Sequence, residues 1–361
     1  MVMVRVRRIV ALAVLMFSLF CITAMALPNI DTSKSGFVNH NGDLYYVYNG
    51  GKIATNITLD IGGKKYHAAR DGVIQKGVHN WNGRYFYANT RTGELALKAN
   101  FVTYKNRRYY IQKGGIIATN ITLTKFNKQY RAYYHGAFAI GVYKWNGKYY
   151  YSDPKTGEWI KKEGFVKWNN RTYYIQKNGT VITGQPFVVN NKPFEADSEG
   201  RLKALPIDNP VKSSVLEIAQ KQVGIKTGKK YWHWYRGTRF IDTDRTPWCA
   251  TFVAWCYNQA GLYHRISGVG NAAYVPCYSN FAYNRDKWIN PKRARGGDII
   301  VFGRSRHVGI VEKVHNGYVF TVEGNSGPTA AYGSGLPGAV TRKVYKLTDP
   351  DIKGVIRVIG N

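Results

Sequence analysis

Acidic side chains are scarce in this chain: 21 Asp and Glu stand against 52 Lys and Arg, for a formal net charge of +31. The excess runs the whole length, with 27 basic and 11 acidic residues in 27–205 and 22 and 10 in 206–361. That much charge of one sign exceeds what solubility asks for and draws a protein toward polyanions. Long apolar runs are also few. Past residue 26 no segment is long and apolar enough to span a bilayer, which excludes a chain that threads a membrane repeatedly. Cysteine is rare, four in 361 residues, too few for a disulfide framework. No His, Cys and carboxylate set has zinc-like local spacing.

What is present begins with an address. Arg5, Arg7 and Arg8 precede an uncharged apolar run from Ile9 to Ala26 that ends in Ala24-Met25-Ala26. That order predicts a secretory signal over 1–26, cut after Ala26, with no stable membrane insertion once it is removed. Phe20 stands before Cys21 where a lipoprotein would need a small residue. Three cysteines remain after processing, Cys249, Cys256 and Cys277; an odd number in an exported chain predicts a free thiol. Cys249 and Cys256 are seven apart on a predicted helix, about 10 Å along its axis, too far to bridge. Cys256 with Cys277 is the better candidate pair, leaving Cys249 free. Export argues against nucleic acid as the polyanion and favours anionic polymers of a cell wall, or an anionic membrane face.

The first half repeats with a period of 64 residues. Ile53-Ala54-Thr55-Asn56-Ile57-Thr58-Leu59 returns intact at 117–123, Trp81-Asn82-Gly83 returns as Trp145-Asn146-Gly147, and Tyr109-Tyr110-Ile111-Gln112-Lys113 as Tyr173-Tyr174-Ile175-Gln176-Lys177. Inside each copy lie units of 19–23 residues: a short apolar strand, a turn such as Asn41-Gly42, and a tyrosine-rich strand. Asn-Gly between such runs predicts hairpins, because both turn residues tolerate positive φ. Stacked hairpins bury their faces on one another, so residues 27–205 read as an all-β hairpin array or β-solenoid of about 2.6 copies. The pattern resembles the choline- and glucan-binding repeats of Gram-positive surface proteins. Those carry a Gly-Trp pair; here Gly36-Phe37, Gly77-Val78, Gly141-Val142 and Gly164-Phe165 stand in its place. The resemblance implies wall or glycan binding through Tyr and Trp stacking rather than choline recognition.

Pro206 and Pro210 mark a linker over 206–212, and a further domain fills 213–361. Ser214 with Glu217 reads as a capping box and Gly224 as a helix stop. Downstream, Thr246-Pro247-Trp248-Cys249 opens a second helix: Thr246 suits the N-cap, Pro247 the first helical position, and Gly261 the stop after Ala260. Cys249 then sits in the first turn, where free N–H groups and the helix dipole favour thiolate. A small buried core cysteine is the plainer reading of Cys249 alone. Two strands tip the balance. Gly297-Asp298-Ile299-Ile300-Val301-Phe302 precedes His307-Val308-Gly309-Ile310-Val311-Glu312, which turns at Asn316-Gly317 into Tyr318-Val319-Phe320-Thr321-Val322-Glu323-Gly324-Asn325. An antiparallel hairpin about that turn brings His307 and Asn325 to one open end. A thiol, an imidazole and a group that orients the imidazole are the parts of a nucleophilic triad.

Over roughly 213–345 the chain resembles the CHAP family of cysteine amidases and peptidases, on Trp248-Cys249, Phe252-Val253, Trp255, Gly297-Asp298-Ile299, His307-Val308-Gly309 and Glu323-Gly324-Asn325. The NlpC-like peptidases share the helix and the histidine strand but carry Asp-Cys-Ser-Gly and a second histidine, both missing here. The resemblance implies an α+β papain-like fold, with the Cys-bearing helix packed on an antiparallel sheet. It implies Cys249 as nucleophile, His307 as general base, Glu323 as its support and Asn325 as a further polar member. Some members bind calcium through acidic residues just before the cysteine. Asp242 and Asp244 are the candidates, although Thr246 and Thr251 stand where more ligands would be needed, so no cofactor is expected. The expectation is a secreted, cell-wall-associated, monomeric hydrolase of peptidoglycan, cutting either the N-acetylmuramoyl-L-alanine amide or a stem or cross-bridge peptide bond. The alternative is a wall- or glycan-binding surface protein with an inert papain-like domain.

Overall fold

The computed structural model describes residues 27, 29–206, 213–240, 242, 243, 245–327 and 338–359. The expected signal segment, Asp244 and all but Pro206 of the expected linker lie outside the described residues. No helix among the described residues is long and apolar enough to cross a membrane.

The repeats form hairpins of five-residue strands. Gly36–His40 pairs with Asp43–Val47, and the same antiparallel unit recurs through Gln185–Val189 with Lys192–Ala196, which gains a third strand at Leu202–Ala204. The expected turns carry positive φ at both central residues, 50° and 88° at Asn41-Gly42 and 46° and 79° at Asn146-Gly147, the geometry that matches strand twist. Lone hairpins are marginal in water. Here the segment trailing one hairpin returns a backbone bond to the hairpin before it: Ile74 N–H to the Leu44 carbonyl at 2.7 Å, Leu95 to Lys65 and Ile117 to Tyr85 at 2.8 Å. Small apolar and tyrosine side chains fill the gaps, as with Leu44, Leu59, Tyr66, Ala68 and Ile74.

The chain divides into two compact units, 1–140 with 152–159, and 141–151 with 160–361. The first holds a buried imidazole pair. His79 Nδ1 lies 3.1 Å from the Gly77 carbonyl, and His79 Nε2 lies 2.9 Å from His67 Nδ1. A carbonyl only accepts, so His79 carries its proton on Nδ1 and accepts from His67 through Nε2. His67 stacks on Trp81 at 4.3 Å. Burial, then the neighbouring His79, lowers His67 from 6.5 to about 4. A base with a depressed folded value keeps its contribution to stability above its unfolded pKa and loses it as pH falls toward the folded one. Melting of this unit in the full chain is therefore expected to weaken as pH drops from 6.5 to about 4, and His67→Phe to flatten that dependence. A melting curve indifferent to pH in that range would refute a neutral pair.

The second unit contains a six-stranded antiparallel sheet. Its strands are β1 (Trp288–Ile289), β2 (Ile299–Phe302), β3 (His307–His315), β4 (Tyr318–Ser326), β5 (Ala339–Lys346) and β6 (Ile352–Ile356), in the spatial order β1-β6-β2-β3-β4-β5. Every residue of β2 is buried because both faces are covered. Ile299 and Val301 face the helical core, and Ile300 and Phe302 face a second cluster with Val311, Val319 and Tyr345. That is the period of two expected of a strand.

Helices α1 (Ser214–Lys221), α2 (Lys229–Arg236), α3 (Cys249–Gln259) and α4 (Val275–Asn284) complete the unit. The cap of α1 is Ser213, one residue before the expected Ser214; its hydroxyl accepts from Leu216 N–H. The start of α3 also differs from expectation. Trp248, not Thr246, is the N-cap, with φ −124° and ψ 16°, and Cys249 is the first helical residue. The Trp248 indole is fully buried and stacked on Tyr231 at 5.2 Å, which holds its backbone outside the helix. Thr246 turns its hydroxyl back to the Asp242 carbonyl at 2.8 Å instead of capping. With no charged residue, α3 buries Cys249 through Tyr257 without a break, each large apolar side chain contributing roughly 1.5–3 kcal/mol.

The last repeat hairpin belongs to this same unit. Arg342 Nε reaches both Glu312 oxygens at 3.0 and 3.1 Å, Gln220 donates to Glu312 at 2.6 Å, and Arg342 Nη1 donates to the Asn191 carbonyl at 3.1 Å. Glu195 accepts from Asn316 at 2.7 Å. Removing one partner of a buried pair strands the other charge. Arg342→Met is expected to lower stability by about 3–5 kcal/mol in urea unfolding; a loss under about 1 kcal/mol, the scale of an exposed pair, would refute the dock.

Candidate active site

Two strand ends and one helix start build the candidate site. Cys249 opens α3 and is 3% exposed. As the first helical residue its N–H has no intrahelical acceptor, and the helix dipole points its positive end there. His307 opens β3 opposite Phe302 of β2, whose ring lies 5.9 Å away. Its Nε2 lies 3.0 Å from Glu323 Oε2, and the Cys249 sulfur is near enough to raise its proton affinity by charge and hydrogen bonding. Since Nε2 is taken by the carboxylate, Nδ1 is the nitrogen left for sulfur.

Glu323 is almost wholly buried on β4 and accepts three further hydrogen bonds: from Thr321 at 2.6 Å, Tyr345 at 3.2 Å and Ser326 at 3.3 Å. It can lie across β3 only because Gly309 has no side chain. A Cβ there would stand 2.7 Å from Glu323 Cγ. Gly324 does the same on the helix side, where a Cβ would meet Phe252 Cβ at 2.5 Å and Trp248 at 2.9 Å. The motif residues Gly309 and Gly324 are thus explained by close approach rather than by turn geometry.

Burial alone would lower His307. The charge of Cys249 and its hydrogen bond, then the bond and charge of Glu323, outweigh burial and raise His307 to about 10. Burial alone would raise Glu323. The hydrogen bond and charge of His307, with the bonds from Thr321 and Tyr345, hold it below its usual value. A carboxylate facing an imidazole that keeps its proton near a sulfur can support a thiolate–imidazolium pair.

The structure brings Cys249, His307 and Glu323 together. Asn325 sits in the irregularity between Glu323 and Ser326 with φ +53°, and its side chain makes no hydrogen bond with the other three. Its left-handed backbone turns Ser326 back toward the carboxylate. Thr321, Ser326 and Tyr345 were not anticipated. Thr321 carried a usable signal, two residues before Glu323 on the same strand face; Tyr345 comes from a strand whose register the sequence does not give.

Asp242 is exposed, and its carbonyl is engaged by Thr246. No group of three or more His, Cys, Asp or Glu able to hold a metal occurs among the described residues. All three described thiols are free, so the Cys256–Cys277 pair is not formed. Burial pushes the Cys256 thiol well above its usual value, with Lys230 opposing.

Residues 241–325 match the CHAP domain. The chain carries that domain behind N-terminal hairpin repeats that resemble choline-binding modules. A stretch of 157 residues, 43% of the chain, is 29% identical to glucosyltransferase-S of Streptococcus mutans serotype c and spans 10% of that protein. Among solved structures, choline binding protein F of Streptococcus pneumoniae, crystallised with a peptidoglycan analogue, is 22% identical, covering 47% of this chain and 58% of that one with a TM-score of 0.32. The modular autolysin LytC of the same organism is 16% identical, covering 50% and 44%, with a TM-score of 0.31.

Proposed function

We propose that this chain is an exported, wall-bound amidohydrolase that cuts an amide of peptidoglycan through Cys249. The observation that carries the reading is the buried Glu323–His307 pair, 3.0 Å apart, coupled to a cysteine that opens a helix. The matched family is one of peptidoglycan hydrolases, and the basic hairpin repeats suit attachment to anionic wall polymers.

His307 takes the thiol proton, and the sulfur attacks the amide carbonyl. Negative charge on that oxygen meets the Cys249 N–H and the positive helix end. The imidazolium gives its proton to the departing amine, leaving a thioester on sulfur. His307 then draws a proton from water, which attacks the thioester; the acid leaves and the proton returns to sulfur. Glu323 stays ionised throughout and steadies the imidazolium. Asn325 acts on this site through the backbone of β4.

Purified walls supply the test. Incubation should release new amino groups without new reducing sugar ends, and iodoacetamide treatment of the enzyme should stop it. Reducing ends without amines would make the chain a glycosidase and end this reading. Mass spectrometry of the fragments assigns the bond to the muramoyl amide or to a peptide.

A further inference from the structure

Both halves of the candidate pair are tied to one helix. Tyr278, fully buried on α4, donates from its hydroxyl to the Ala250 carbonyl at 3.0 Å and the Ala272 carbonyl at 3.2 Å. Ala250 follows Cys249, so this bond grips the first turn of α3. One residue further along α4, Ser279 Oγ lies 2.8 Å from Ser305 Oγ. Ser305 sits two residues before His307 and holds φ +63°, a left-handed backbone that serine rarely adopts and that neighbours must enforce. Lys353 of β6 donates to Ser305 Oγ at 2.7 Å, and Gly303 N–H donates to the Asp351 carbonyl at 2.6 Å. An ammonium only donates, so Ser305 accepts from Lys353 and has its own proton to give Ser279. The turn that delivers the imidazole is thus pinned from β6 and from α4 together.

We propose that Tyr278 and Ser279 are positioning residues: adjacent side chains on α4 that set the separation between the Cys249 sulfur and the His307 ring. The inference rests on the amidohydrolase reading and adds to it residues that touch no substrate. Proton exchange between sulfur and imidazole is steep in distance, and a displacement near 1 Å is worth about 100-fold in rate. Ser279 and Ser305 are both buried, so neither serves as a surface contact. The Cys249 sulfur and the Glu323 carboxylate both raise His307, so movement of the sulfur is read in the imidazole.

The test uses the full chain with Tyr278→Phe, Ser279→Ala, Lys353→Met and Lys353→Arg. Each of the first two should lower kcat about 10-fold with KM unchanged, and the pair together about 100-fold. Iodoacetamide labelling of the Cys249 peptide, followed by mass, should slow in step. The His307 titration, followed by NMR, should slide from about 10 toward 6.5 as the sulfur recedes. Lys353→Arg should restore what Lys353→Met loses. Variants that melt earlier yet keep kcat and the His307 midpoint would overturn the proposal, leaving these residues as packing alone. Should Tyr278→Phe fail to fold, Ser279→Ala decides, since it removes one hydroxyl and no ring. A parent Cys249 labelled no faster than an unstructured cysteine peptide at pH 6.5 would sink the amidohydrolase reading and this proposal with it; fast labelling that the variants leave unchanged sinks the brace alone.

Discussion

With Cys249→Ser, release of amino groups from purified walls is expected to fall at least about 10⁴-fold, the scale on which nucleophile replacements act. The sulfur has two tasks that a hydroxyl in its place does not share. It forms the thioester, and its charge is the largest influence holding His307 up at about 10 against burial. A serine hydroxyl beside the ring stays neutral, so the imidazole should titrate far lower in the variant than in the parent. The Cys249 side chain is 3% exposed and the helix around it is packed on every side. Serine has nearly the same volume, so folding should persist. Wall binding should persist as well, because the proposed attachment runs through the basic repeats and the variant leaves their charge untouched. The informative result is therefore lost turnover with retained binding, checked on one preparation by amine release and by co-sedimentation. Retention of more than a tenth of the parent rate would remove Cys249 from the chemistry. What would be left is a cationic wall-binding chain whose papain-like half is inert.

The parts legible in the sequence were those with a local cause. Asn41-Gly42 and Asn146-Gly147 announce hairpins because the turn itself demands positive φ. His307 and the far end of β4 could be brought together on paper because one Asn-Gly turn sets β3 against β4, even though a bulge between Val311 and Lys313 shifts the register; Glu323 itself came from the family resemblance. Where the cause is tertiary, sequence reasoning missed. Thr246 and Pro247 are better cap and first-turn residues than Trp248 by local preference. The stacking of Trp248 on Tyr231 overrides that preference and moves the helix start onto the cysteine. Asn325 belongs to the same motif, but the irregularity it occupies places the Ser326 hydroxyl, not the Asn325 amide, on the Glu323 carboxylate. Tyr345 had no sequence signal, since only the pairing of β4 with β5 brings it to the carboxylate. The dock of Asn191 on Arg342 depends likewise on how a hairpin lies against a sheet.

Glu323→Gln is expected to lower kcat about 10³-fold while changing KM little, since a group that orients and charges the base acts mainly in the transition state. The carboxylate oxygens accept from His307, Thr321, Ser326 and Tyr345. An amide has one acceptor oxygen and an NH2 that can only donate. Part of that set of donors must then face another donor in a buried site. Charge gives a second reason. The ionised Glu323 is one of the influences raising His307, and without it the alkaline limb of the rate profile should move down from about 10 toward 6.5. The sign of the stability change differs between the two partners. The depressed carboxyl contributes stability above its unfolded value of 4.5 and loses it as pH falls through its lower folded value. The raised imidazole contributes fully below 6.5 and loses its share as pH climbs through about 10. Glutamine removes the acid-side dependence and weakens the alkaline one, so the variant's stability should vary less with pH at both ends. Tyr345→Phe deletes one donor and keeps the charge. It should cost about 1 kcal/mol of stability and under about 10-fold in rate, leaving the alkaline limb near that of the parent. The ordering carries the argument: if Tyr345→Phe were as damaging as Glu323→Gln, or if the amide left the alkaline limb unmoved, Glu323 would be a packing element of β4 and the imidazole would draw its proton affinity from the sulfur alone.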